Sequence, residues 1–115
     1  METRVITRVN NVDILASSEN QYIPIKPICE ALGIDPEAQR QKILSHYLLK
    51  NHVRLETAKA KDGKMREMTC LPAGYIFGWL ITINPLNVPD IEKRKSLETS
   101  LIICYEEILK LYNSK

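Results

Sequence analysis

The stretch Leu71-Pro72-Ala73-Gly74-Tyr75-Ile76-Phe77-Gly78-Trp79-Leu80-Ile81-Thr82-Ile83-Asn84-Pro85 decides how the rest of the chain is read. It contains the single Trp, the single Phe and the densest apolar run. Pro72 suits a first helical turn, where a missing N–H costs nothing. Pro85 disfavours helix at Asn84 and ends the segment. Ile76, Trp79, Leu80 and Ile83 recur at i, i+3, i+4 and i+7, which is one face of a helix. Gly74 and Gly78 share another side. Glycine inside a helix costs about 1 kcal/mol relative to alanine, so another backbone is expected to approach closely there. The segment reads as a buried axle helix. It is far short of the ~20 apolar residues that span a bilayer.

Just before the axle, residues 53–60 and 65–71 have strand composition around Lys61-Asp62-Gly63-Lys64. Asp-Gly favours a type I′ turn, which needs positive φ at both central residues. With that turn Lys61 faces Lys64, Lys59 faces Arg66, Thr57 faces Met68 and Leu55 faces Cys70, all on one side of the ribbon. Like charges directly opposite cost about 0.2–1 kcal/mol per pair. Two readings stand for this basic tip. It is a solvated overhang with edge lysines against aggregation, or it meets an anion such as a phosphate backbone.

Further back, residues 1–10 read as a loose arm or edge strand and residues 12–16 as a short strand. Residues 17–20 are turn-like. Residues 22–25 read as a second short strand that Pro24 confines to an end or edge. The two short strands are expected to pair as a hairpin. Pro27 opens a helix with Ile28, Ala31 and Leu32 inside, and Gly33 sits at a left-handed stop. Asp35-Pro36-Glu37 starts a second helix as N-cap, N1 proline and first-turn acid. Its apolar stripe is Ile43, Leu44, Tyr47 and Leu48, and it fades near Lys50-Asn51. The two helices form either an ordinary packed pair or a helix-turn-helix. In the second case Gln39, Arg40 and Gln41 suit base edges, with Lys42 beside them.

After the axle, residues 84–88 form a loop and Pro89-Asp90 starts a long helix. Leu97, Leu101, Cys104, Ile108 and Leu111 alternate spacings of four and three, an a/d-type seam. Ile102, Tyr105, Leu109 and Tyr112 widen it. Such a stripe packs on its own domain or on a second copy, giving a symmetric dimer.

At 115 residues the chain is expected to be one domain, residues 1–115. Its 44% apolar and 26% charged content is that of an ordinary soluble globular protein. A net charge of +2 is too small to argue for nucleic acid except through local clustering. No secretory signal opens the chain. Cys29, Cys70 and Cys104 lie far apart among apolar residues, as expected of buried free thiols in a reducing cytoplasm. His46 and His52 lack metal-ligand spacing, and neither a phosphate loop nor a G-x-S-x-G is present. No enzyme, cofactor or metal is expected.

Three stretches resemble the amino-terminal domains of phage antirepressors. These are Tyr22-Ile23-Pro24-Ile25-Lys26-Pro27-Ile28 with Leu32-Gly33-Ile34-Asp35, then residues 62–72, then Gly78-Trp79-Leu80-Ile81-Thr82-Ile83-Asn84-Pro85. The family is similar in style to the amino-terminal domain of the baculovirus repeat proteins, which is associated with DNA binding. The resemblance implies gene regulation in a phage or prophage setting. Antirepressors oppose phage repressors, some by direct protein contact. Family members often carry a further carboxy-terminal domain, whereas this chain ends with its long helix; a stand-alone module of this kind is expected to lack the effector half.

Taken together, the expectation is an α+β domain. Small antiparallel hairpins pack with a helix pair, a buried Trp-containing helix and a long C-terminal helix. The leading function is a cytoplasmic, phage-type transcription-regulatory module that binds DNA through Gln39, Arg40, Lys42, Lys59, Lys61, Lys64 and Arg66. The alternative is a protein-binding antirepressor that sequesters a phage repressor. A homodimer through the C-terminal helix is expected, and no membrane.

Overall fold

In a computed structural model that describes residues 1–18 and 21–113, the strands are β1 (Thr3–Val9), β2 (Val12–Ser17) and β3 (Tyr22–Pro24). Helices α1 (Ile25–Leu32) and α2 (Pro36–Ser45) follow, then β4 (Arg54–Lys59) and β5 (Met65–Pro72), then α3 (Ala73–Ile81) and α4 (Ile91–Asn113). Among the described residues, four α-helices therefore pack with two small antiparallel sheets, β1-β2 and β3-β5-β4. The fold is α+β, with the long terminal helix in place.

The first ten residues are mostly strand rather than a loose arm, and β2 pairs with β1 instead of β3. The reason lies in Asn10 and Asn11, both left-handed at φ 49° and 65°. With Val9 opposite Val12, they make a two-residue hairpin loop with positive φ at both positions, the type I′ geometry that asparagine tolerates. Asn10 also donates from Nδ2 to the Ala31 carbonyl (2.8 Å) and to Ser100 Oγ (2.9 Å), tying the hairpin to α1 and α4. The turn expected at residues 17–20 falls partly on residues 19–20, outside the described residues. β3 joins the other sheet through Ile23 opposite Leu71, and both side chains are buried.

The hairpin before α3 forms where expected, but its register is displaced by one residue. Lys59 faces Met65, Ala58 faces Arg66 and Arg54 faces Cys70. Gly63 is left-handed (φ 82°) and Asp62 is not. The Gly63 N–H donates to the Ala60 carbonyl (2.9 Å) and the Ala60 N–H to the Lys64 carbonyl (2.8 Å). The loop therefore has three residues, a type I turn followed by a left-handed glycine. The Asp62 carboxylate helps to set it, accepting from the Lys64 N–H at 3.0 Å and pairing with Arg66. A one-residue slip moves side chains to the opposite face. Arg66 therefore lies on the side of Ala58 and Cys70, and Lys59 on the other. The single basic face expected from a two-residue turn does not form.

α1 stops at Gly33 (φ 73°), whose N–H donates to the Glu30 carbonyl while Ile34 N–H donates to that of Cys29. Asp35 then caps α2 through the Ala38 N–H at 3.2 Å. α2 ends at Ser45, short of Lys50-Asn51, because the chain turns at His46. The His46 Nδ1 accepts the N–H groups of Leu48 (3.2 Å) and Leu49 (3.3 Å), and a 3-10 turn Leu49–Asn51 follows. Of the expected apolar stripe, Ile43 alone is buried; Leu44, Tyr47 and Leu48 are exposed.

α3 is the axle. Trp79 is 0% exposed and packs in one core with Ile76, Leu80, Ile83, Ile28, Leu71 and the inner side of α4. No backbone closes on its glycines. A Cβ at Gly78 would meet Leu49 Cδ2 at 3.7 Å and one at Gly74 would meet Tyr112 Cε2 at 3.4 Å, so side chains cover this face. His52 stacks on Tyr75 at 3.7 Å, continuing the same cover.

Asp90 caps α4 by accepting the Lys93 N–H at 3.0 Å. Leu97, Cys104, Ile108 and Leu111 are buried within this chain, with Leu101 packed at their edge. The inner row of the seam thus belongs to the domain's own core. The large apolar residues of α4 left exposed are Ile91, Ile102, Ile103, Leu109 and Tyr112.

All three cysteines are buried. Burial pushes the thiols of Cys29 and Cys70 up to about 12 and that of Cys104 up to about 11. Thiolate is the reactive form. A chromogenic disulfide reagent at pH 8 is therefore expected to find almost no thiol in the native protein and all three after denaturation. Rapid native labelling of one thiol would show that its surroundings open.

Candidate functional site

Two of the α2 side chains suited to base reading reach the α3 segment instead. The indole of Trp79, the largest buried side chain, must place its Nε1–H somewhere. It donates to Gln39 Oε1 at 3.0 Å. Three residues further along both helices, Lys42 Nζ reaches the Thr82 carbonyl at 3.4 Å. Burial lowers the Lys42 pKa from its ordinary value.

Arg40 lies on the outer side of α2. Its Nε and Nη2 grip the Glu37 carboxylate at 3.0 and 2.8 Å, and Gln41 Nε2 donates to the same group at 3.0 Å. The Arg40 fork, then the Gln41 amide, hold Glu37 down to about 2. A depressed carboxylate contributes fully above the ordinary carboxylate range and loses its contribution only as pH falls towards that value. Arg40 and Gln41 thus both point to Glu37, in an exposed ion pair of the kind that contributes little to stability.

The other expected contacts stand on the hairpin. The side chains of Lys59, Lys61 and Lys64 are exposed and have no hydrogen-bond or ion-pair partner among the described residues. Arg66 is held by Asp62, whose carboxylate the guanidinium and the Lys64 N–H keep below its usual range. The seven residues thus fall in two groups: Gln39, Arg40 and Lys42 on α2, and Lys59, Lys61, Lys64 and Arg66 around the tip. Their charge is less available than their number suggests, since three lysines alone are uncommitted.

A different surface was not singled out from sequence. Tyr47 is 79% exposed, with Leu44 at 39%, Leu48 at 42% and Ile81 at 73%. Leu49 packs where a Gly78 side chain would stand, and Ile81 follows three residues on, on the same side of α3. The turn after α2 therefore packs against α3 at Gly78. His46 shapes it, capping the turn through Nδ1 and stacking on the Tyr47 ring at 4.7 Å. One sequence signal is visible in retrospect. Residues 38–55 contain no Asp or Glu, and neither does α3.

Among the described residues, no group of three or more His, Cys, Asp or Glu is placed to hold a metal. No helix there is long and apolar enough to cross a membrane. No curated protein and no solved structure matches the chain. The P22_AR N-terminal domain family matches residues 5–109, nearly the whole chain, on the same elements that build the Trp79 core and the two hairpins. The chain belongs to this family, the amino-terminal domain of phage antirepressors, and is a phage-type regulatory module.

Proposed function

We propose that the domain is a non-catalytic, protein-binding antirepressor module that acts in the host cytoplasm on a phage repressor, engaged through Leu44, Tyr47, Leu48 and Ile81. The observation that carries this reading is the exposure of an aromatic and three aliphatic side chains on α2, the turn after it and the end of α3. Grouped exposed apolar side chains mark protein-binding surfaces, and an aromatic residue is a typical anchor. The commitment of Gln39 to Trp79 and of Arg40 to Glu37 argues in the same direction, because both would have to be released before α2 could read a groove. The expected homodimer belongs to the same proposal, moved from the seam to the outer row of α4 at Ile102, Ile103 and Leu109.

The test is affinity capture from phage-infected or lysogenic cells, with and without nuclease, comparing wild type with the double variant Tyr47→Ser, Leu48→Ser. Both positions are exposed, so the variant should melt within about 0.5 kcal/mol of wild type. Wild type is expected to retain a repressor after nuclease treatment. Loss of an anchor worth about 2 kcal/mol, roughly 30-fold in affinity, should remove it from the variant. A partner retained equally by both would displace the surface.

DNA binding has its own support in the three uncommitted tip lysines. Each phosphate neutralised contributes about −0.9 to the slope of log K against log salt. Lys61→Gln with Lys64→Gln should make that slope shallower by about 2. Fluorescence anisotropy with random duplexes measures it. Absence of wild-type binding at ~50 mM salt, where basic modules bind nonspecifically, leaves the protein-binding reading alone.

A further inference from the structure

We infer that two copies of the chain join antiparallel along the outer row of α4, with Lys95 of each opposite Glu106 of the other and Ile91 opposite Leu109. The inference rests on the homodimer proposed above and adds how the copies meet. Its basis is the order of side chains along one helix face. Eleven residues make about three turns of α-helix. Ile91 and Ile102 are eleven apart, and so are Lys95 and Glu106. Lys95, Ile102 and Leu109 follow at sevens, about two turns each. All five therefore stand on one stripe of α4. The stripe lies on the side of the helix away from Leu97, Ser100, Cys104 and Ile108, which are buried against the rest of the domain. All five residues are exposed, and the side chains of Lys95 and Glu106 have no ion-pair or hydrogen-bond partner among the described residues.

The stripe is complementary to itself when reversed. A two-fold axis crossing α4 between Ser100 and Leu101 carries Lys95 to the level of Glu106. It carries Ile91 to within one residue of Leu109, and Ile102 to the level of Thr99. Each copy then presents the same patch, as a two-fold contact requires. A parallel pair would instead set Lys95 against Lys95 and Glu106 against Glu106, and like charges across a contact reject that arrangement. Glu106, Leu109, Lys110 and Asn113 border a shallow concavity, and the second copy's Ile91 arrives there. Because the buried row of each helix faces away from the contact, the two domains lie outside the helix pair and do not collide. The overlap is roughly 30 Å of helix at 1.5 Å per residue. A contact between single helices is small for a protein interface, so the two symmetry-related charge pairs weigh heavily in it.

The experiment is sedimentation equilibrium of the whole protein across micromolar concentrations at low salt, where exposed charges are least screened. Lys95→Glu alone and Glu106→Lys alone each turn two attractive pairs into repulsive ones and should weaken the dimer at least about tenfold. Mixed in equal amounts, these two variants should form a heterodimer within about threefold of wild-type affinity, because every pair across the contact is again of opposite sign. The double variant Lys95→Glu, Glu106→Lys should recover the homodimer to the same extent. Such recovery separates a charge pairing from damage to the fold. Ile102→Ser should weaken the dimer without changing the melt, since the side chain is exposed. A dimer indifferent to the single reversals, or not restored by the double one, overturns the antiparallel register; if Ile102→Ser still weakens it, the outer-row dimer stands. A wild type that stays monomeric removes the dimer and its register together, and leaves the repressor-binding reading to the capture experiment.

Discussion

Replacing Trp79 with Ala is expected to cost about 3–5 kcal/mol, the usual range for truncating a large buried aromatic. The side chain is fully enclosed and lies where α2, α3 and the core meet. Domains of this size hold about 5–15 kcal/mol in total, so the variant should be marginal in urea melts. Part of the cost has a separate source. Gln39→Ala keeps the indole but orphans its buried Nε1–H, which should cost about 1–3 kcal/mol. Once Trp79 is gone, removing Gln39 should cost much less, so the two losses should not add. A loss below about 1 kcal/mol for Trp79→Ala would mean that the core is held elsewhere.

Ile108→Ala is expected to cost about 2–5 kcal/mol, as for other aliphatic truncations in a core. Here the concentration dependence is the informative part. The seam of α4 is buried within one chain, so the loss should be the same at low and high protein concentration. Truncating a side chain buried between two chains would instead weaken association, and the loss relative to wild type would change with concentration. Light scattering at micromolar concentration completes the test. The proposed outer-row dimer predicts twice the 13.2 kDa monomer mass for wild type and for this variant while folded. A monomer would remove the dimer and leave the seam in place.

Much of the architecture was readable because local chemistry and burial agree there. Ile76, Trp79, Leu80 and Ile83 share a period, and Pro72 and Pro85 bound it. Gly33 and Asp35-Pro36 stop one helix and start the next through backbone geometry that few other residues supply. The misreadings occurred where two local signals compete. Asp62-Gly63 fits both a two-residue and a three-residue hairpin loop, and the choice rests on which residue takes positive φ. The Asp62 contacts with the Lys64 N–H and Arg66 tip it, and neither is visible in composition. Asn10-Asn11 is as good a type I′ turn as Asp-Gly, yet the polar character of residues 1–10 obscured it. The candidate site was the least legible. Gln39 and Arg40 look like readers of bases because sequence shows what a side chain can bond, not what already bonds it. Leu44, Tyr47 and Leu48 continue a helical period from Ile43. The His46 turn ends the helix after Ser45 and carries Tyr47 and Leu48 outward.

The double hydrogen bond of Asn10 also bears on how the molecule is made. Its two acceptors lie 21 and 90 residues further along the chain. At about 5–20 residues per second, the ribosome needs roughly 5–20 s to pass from Asn10 to Ser100. During that interval the Asn10-Asn11 turn can close, because it is local, but the inner side of α4 does not yet exist. The nascent chain therefore passes through a stage in which Trp79 has been synthesised and the helix that covers it has not. The bond to Ala31 can form early in that interval, and the arrival of Ser100 completes the pair.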